Sequence, residues 1–190
     1  MDRSILDLIR KSESAQEILW DLCEFEVVDE TETYDWFADE CAEPVEVFAR
    51  DGAGGFFAWR KQAPADEPRL LYVSSEGQAG AIAADLPEAI QMIIALPYWQ
   101  DCLKFSGGGA LEEMKKAAEV FEEDLCDEWD NIDSLRKKLF KSLRLAAPNM
   151  PLEKLHAAVT TYGKRPLAMR EGFEVESLFN TFTVDVLSCG

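Results

Sequence analysis

Histidine is almost missing from this chain. His156 is the only one among 190 residues, and a lone imidazole without patterned Cys or His partners does not complete a zinc site or supply a triad. The five cysteines, Cys23, Cys41, Cys102, Cys126 and Cys189, are odd in number and scattered, with no pair at the two-residue spacing of a zinc knuckle or redox motif. They read as reduced thiols, which points to the cytoplasm. No run approaches the roughly 18 uncharged apolar residues of a membrane span, and the start "MDRSILDLIRKSE" has no apolar stretch long enough for a secretory leader. There is no Gly-Lys-Ser or Gly-Lys-Thr and no complete dinucleotide glycine fingerprint. No cofactor and no metal are expected.

Positive charge is also scarce. Lys and Arg number 19 against 37 Asp and Glu, a formal net charge of −18. Such a surface repels nucleic acid and anionic membranes and attracts cationic partners. At 47% hydrophobic residues the chain can still bury a sizeable core. It is expected to form one domain over residues 1–190.

Apolar residues Ile5, Leu8, Ile9, Ile18, Leu19 and Leu22 fall at helical spacings, predicting two helices or one kinked helix from Ser4 to about Val28, with Ser14 and Glu17 as a capping box. The acidic stretch "DETETYDWFADECAEP" has no sustained period and reads as a loop. "VEVFA", "GFFAW" and "RLLYVSS" are short, rich in β-branched and aromatic residues, and bounded by glycine or proline; they predict an antiparallel meander. A turn at Gly77 to Gly80 and a short extended piece precede a helix that opens with Asp85, Pro87 and Glu88 and ends at Pro97. Ile90, Met92, Ile93, Ile94 and Leu96 leave it apolar nearly all round, as in a central buried helix. Beyond "FSGGG", two amphipathic stripes follow: Leu111, Met114, Ala118, Phe121 and Leu125, then Leu135, Leu139, Phe140 and Leu143 with Asp133 as the expected cap. "PLEKLHAAVTTYG" predicts a further helix, and "TFTVDVL", alternating Phe182, Val184 and Val186, a strand returning to the sheet.

The glycines of "ARDGAGGFFAWR" raise the question of a phosphate cradle. A cradle needs a helix after the glycines so that its amides face the anion, whereas here a strand follows. Gly52, Gly54, Gly55 and Gly77 are therefore expected to be structural turn residues. Carboxylates are too numerous to mark a catalytic pair; the run Glu122, Glu123, Asp124, Asp127, Glu128 and Asp130 reads as a solvated helix face, or as a polyanion mimic for a basic protein.

"VFARDGAGGFFAWR" followed by "LLYVSSEGQAGAIAADLPEAIQMIIALP" resembles the SMI1/KNR4 (SUKH) superfamily, over roughly residues 44–105. That family's Ser-Phe pair near the helix start is replaced here by Asp85 and Leu86, and nothing after Gly107 is matched. The resemblance implies an α+β fold, a twisted and mainly antiparallel sheet backed by helices, here with an additional helical C-terminal part over about 107–190. It also implies a bacterial immunity protein that binds and neutralises a toxin, often a nuclease, with no catalytic residues to carry over. The expected activity is thus non-enzymatic binding of a basic protein partner, possibly a nuclease toxin. Tyr34, Asp35, Trp36, Asp39 and Glu76 are the expected contact residues, because aromatic anchors amid acids suit an interface. An intracellular scaffold or regulatory protein of the same family type is the alternative, and an enzyme using an unrecognised carboxylate site the third possibility.

Overall fold

The computed structural model describes residues 4–28, 44–62, 67, 69–163 and 175–184. Tyr34, Asp35, Trp36, Asp39, Cys41, Val186 and Cys189 lie outside them. Among the described residues the fold is α+β: a five-stranded antiparallel sheet with seven helices.

The N-terminal helices are α1 (Ser4–Arg10) and α2 (Glu13–Cys23). The cap of α2 is Ser12 rather than Ser14: its hydroxyl accepts from the Ala15 amide at 3.3 Å, while the Gln16 side chain ties down the last carbonyls of α1, Ile9 and Arg10. Nor does the helix reach Val28. Glu24 adopts a left-handed conformation, φ 48°; its amide donates to the Trp20 carbonyl and the Phe25 amide to the Leu19 carbonyl, both at 3.0 Å, so the chain turns and Phe25 enters the core.

β1 (Glu26–Val27) then pairs with β2 (Val45–Arg50), which continues through β3 (Phe56–Arg60), β4 (Leu70–Val73) and β5 (Ala79–Ala83) in sequential order, every pairing antiparallel. Strand alternation divides the side chains between two buried faces. Phe57, Trp59, Leu70, Tyr72 and Ile82 join the main core. Phe56, Ala58, Leu71, Val73, Ala79 and Ala81 form a second cluster that includes Tyr162. Gly80 lies within β5 rather than in the preceding turn.

α3 (Leu86–Ala95) is the central helix the pattern predicts, with Leu86, Ile90, Met92, Ile93 and Ile94 all buried. Asp85 accepts from the Glu88 amide at 2.9 Å, and Glu88 reaches back to the Ala84 amide at 2.9 Å, closing the box one residue earlier than the usual reciprocal pair. α4 (Trp99–Lys104), α5 (Leu111–Glu128), α6 (Ile132–Ser142) and α7 (Pro151–Gly163) complete the helices. The stripes of α5 to α7 place Met114, Leu139, Leu155 and Val159 in the main core, so the C-terminal helices pack with the sheet instead of standing apart. Asn131, not Asp133, occupies the N-cap position of α6, and no side chain bonds there.

The last described segment returns to the sheet earlier than "TFTVDVL" predicts. Its bridge is at Glu176, parallel to Gln78, with the Ala79 amide donating to the Glu176 carbonyl at 2.9 Å. Phe182 and Val184 form no strand. Three consecutive left-handed glycines, Gly107 to Gly109, bind this segment instead: Gly107 and Gly108 donate to the carbonyls of Phe182 and Asn180.

Candidate partner-binding groove

The site begins at the turn between β2 and β3. Asp51, 4% exposed, accepts from the Ala53 amide at 3.0 Å and the Gly55 amide at 2.7 Å through one oxygen, and from Tyr72 Oη at 2.5 Å and Gln100 Nε2 at 3.0 Å through the other. A carboxylate is acceptor-only, and these four donors fill its lone-pair sites. The glycines answer to this geometry. Gly54 sits at φ +90°, where L side chains are strained, and a Cβ on Gly55 would stand 2.7 Å from Asp51 Oδ2. The amides of the turn thus serve the protein's own carboxylate.

Tyr72 Oη also accepts from Gln100 Nε2 at 3.0 Å, which couples β4 to α4. Trp99 fixes that helix by packing at right angles to Tyr72, centroids 4.9 Å apart, and 6.0 Å from Phe57. Burial and then the Asp51 hydrogen bond push the Tyr72 phenol above its ordinary pKa, with the fields of Glu24 and Glu76 acting in the same direction.

Two clefts meet at Gln100 and Asp101 in the first turn of α4. One, about 350 Å³, lies between the end of α2, α4 and α5. It is lined by five carboxylates, Asp21, Glu24, Asp101, Asp124 and Glu128, with Tyr98, Phe121 and Trp129 as aromatic walls and no Lys or Arg among the described residues. The other, about 620 Å³, runs between the β4–β5 turn, α4 and the segment that includes Leu178, Asn180 and Phe182; Lys104 is its one basic residue among the described lining. Burial raises the Asp101 carboxyl above its usual range, Lys104 opposes that, and Glu24 adds to it.

Glu122 secures the α5 wall. Arg136 on α6 grips it with two 2.6 Å bonds and Tyr98 donates to it at 2.8 Å, the arginine bonds holding its pKa below the ordinary value. The acidic run of α5 is therefore divided: Glu122 is structural, Asp124 and Glu128 face the cleft, and Glu123 and Asp127 are exposed.

Of the contact residues expected from sequence, Glu76 lines the larger cleft, while Tyr34, Asp35, Trp36 and Asp39 fall outside the described residues. Gly77 turns the β4–β5 connection at φ +86°. His156 donates through Nε2 to the Gly109 carbonyl at 2.9 Å and its ring lies 5.5 Å from Phe179. Among the described residues, no three His, Cys, Asp or Glu side chains are grouped to hold a metal ion, and no helix is long and apolar enough to cross a membrane. Sequence reading missed Asp21, Glu24, Gln100 and Asp101. Only the i,i+3 pair Asp21 and Glu24 and the i,i+4 pair Asp124 and Glu128 hinted at shared faces.

The site thus defines an α+β protein carrying an acidic, aromatic-walled groove. Comparison with known proteins finds no matching family model, no matching curated protein and no matching solved structure.

Proposed function

We propose that this chain is a non-enzymatic binding protein whose groove receives a basic protein partner, in the manner of a SUKH-type immunity protein neutralising a toxin. The observation that carries the reading is the 350 Å³ cleft with five carboxylates and, among the described residues, no basic lining residue. A concave wall of one sign focuses its field, speeding encounter with an oppositely charged protein and rejecting acidic ones. The net charge of −18 extends that field over the molecule. Phe121 and Trp129 supply the aromatic surface that interfaces favour. The toxin component rests on the resemblance over residues 44–105, with which the antiparallel meander and the buried α3 that follows it agree.

The test is affinity capture with the full chain from source cells, identification of the partner, and association kinetics at low and high salt. The expected partner is basic, and Asp124→Asn with Glu128→Gln should slow association by about tenfold at low salt with little change in dissociation. Coexpression should relieve the partner's toxicity. Only acidic or neutral partners, or kinetics indifferent to both salt and the double variant, would refute the proposal.

A further inference from the structure

We infer that the 620 Å³ cleft receives an arginine side chain from an extended segment of the partner, with the guanidinium placed between the Asp101 carboxylate and Gln100 Oε1. This rests on the basic-partner reading above and names the element recognised. Its volume lies within the range of ligand-binding clefts, and its walls mix apolar surface with a few fixed polar groups.

Gln100 directs its amide nitrogen to both Asp51 and Tyr72, so Oε1 is the atom left for the cleft; among the described residues no donor serves it. The neighbouring Asp101 carboxylate is half-buried and likewise accepts no side-chain or amide hydrogen bond from the described residues, so it keeps its acceptor sites for an incoming donor. A carboxylate beside an amide oxygen held by a buried network offers acceptors on a rigid base. Guanidinium, with five N–H donors in a planar fork, suits such a set better than the compact ammonium of lysine. Phe182 lines the same cleft with 48% of its surface exposed, its ring backed by Phe105 at 6.2 Å; it offers a face on which a guanidinium can stack. Ser75 and Gln78 provide donors and acceptors for the flanking peptide backbone.

The resident cation competes weakly. Lys104 sits one turn beyond Asp101 and lowers its pKa only through space, while its ammonium lies 5.8 Å from the Phe105 ring centroid. Its removal should therefore favour the incoming arginine.

The experiment titrates the isotope-labelled full chain with acetyl-Gly-Arg-Gly-amide and with the citrulline analogue, followed by NMR. Saturating shifts centred on the amides of Ser75, Gln78, Gln100 and Asn180 are expected at millimolar peptide, with citrulline at least about tenfold weaker. Asp101→Asn should weaken the arginine peptide to a similar extent, Lys104→Gln should tighten it, and Glu119→Gln, the same charge change on an exposed position of α5, should alter it less than about twofold. Shifts centred elsewhere, no shifts at millimolar peptide, or equal effects of Asp101→Asn and Glu119→Gln overturn the inference. Arginine peptide bound outside the cleft leaves the basic-partner reading standing. Arginine peptide bound in the cleft, with only acidic or neutral partners captured from cells, sinks that reading and keeps the cleft.

Discussion

Replacing Gly55 by alanine should destabilise the protein by about 3 kcal/mol or more, with much of the loss passing through one hydroxyl group. The added Cβ would stand 2.7 Å from Asp51 Oδ2 and 2.8 Å from Tyr72 Cζ, with Tyr72 Oη closer still. Neither neighbour has room to retreat. Asp51 is held by four hydrogen bonds, and Tyr72, 5% exposed, is wedged against Trp99 at 4.9 Å and Phe57 at 5.2 Å. Overpacking a site of this kind costs about 1–3 kcal/mol. Driving the tyrosine hydroxyl off a buried carboxylate adds about 1.5–3 kcal/mol. Tyr72→Phe alone should cost about 1.5–3 kcal/mol by removing that donor. In the double variant the hydrogen bond can be lost only once and the tightest contact is gone, so the combined cost should fall below the sum of the singles by about 1.5 kcal/mol or more. Urea unfolding of the four proteins at one pH measures all three quantities. A Gly55→Ala cost under about 0.5 kcal/mol, or additivity within about 0.5 kcal/mol, would show that the turn does not depend on this contact.

Ser106→Ala should cost about 1–2 kcal/mol, because the fully buried hydroxyl donates to the Asn180 carbonyl at 2.9 Å and accepts from the Gly109 amide at 3.1 Å. Hydrogen exchange should then speed up at Gly107 and Gly108, whose amides donate to the same segment. Asp101→Asn should stabilise the protein at neutral pH relative to acid. The folded state binds the Asp101 proton more tightly than the unfolded state, so its contribution is present below the ordinary value of 3.8 and is lost as pH rises through the raised one. Unfolding of both proteins from acid to neutral pH checks the sign; a variant that loses stability relative to the parent as pH rises would contradict it. Among the three described thiols, exposed Cys126 should alkylate in the native protein, while Cys23 and Cys102, pushed up to about 12 by burial, should react only on unfolding, as peptide mapping can follow.

How much was legible from the residues differs between the scaffold and the site. α7 starts at Pro151 as predicted and ends at Gly163, one residue later than the glycine stop suggests, and α3 buries Leu86, Ala89, Ile90, Met92, Ile93 and Ile94 as its apolar composition demands, leaving Pro87, Glu88, Gln91 and Ala95 half-buried, because both signals are local. The meander was legible for the same reason: short β-branched and aromatic runs bounded by glycine or proline act over a few residues. Errors arose where a local preference met a tertiary demand. The helical pattern through Val28 yields at Glu24 because Phe25 gains more by entering the aromatic cluster, 5.0 Å from Phe57, than by continuing a surface helix. The alternation at Phe182 to Val186 predicted a strand, but the segment is bound through the glycine loop at Gly107 and Gly108 and touches the sheet at Glu176.

The sequence by itself determined the three-strand meander from Val45 to Val73, the central helix that follows it and the strongly acidic composition, since composition and short-range patterns are properties of the chain alone; that β1 and β5 extend the sheet to five strands emerged only in the fold. Only the tertiary structure decided where that acidity becomes a groove. Asp21 and Glu24 at the end of α2, Asp101 on α4, and Asp124 and Glu128 on α5 are separated by up to 107 positions and meet because Trp99 docks α4 on Phe57 and Tyr72 while Arg136 holds α5 through Glu122. Charge can be counted along a chain, but the cleft that concentrates it is set by packing between distant elements, and no short-range pattern encodes that.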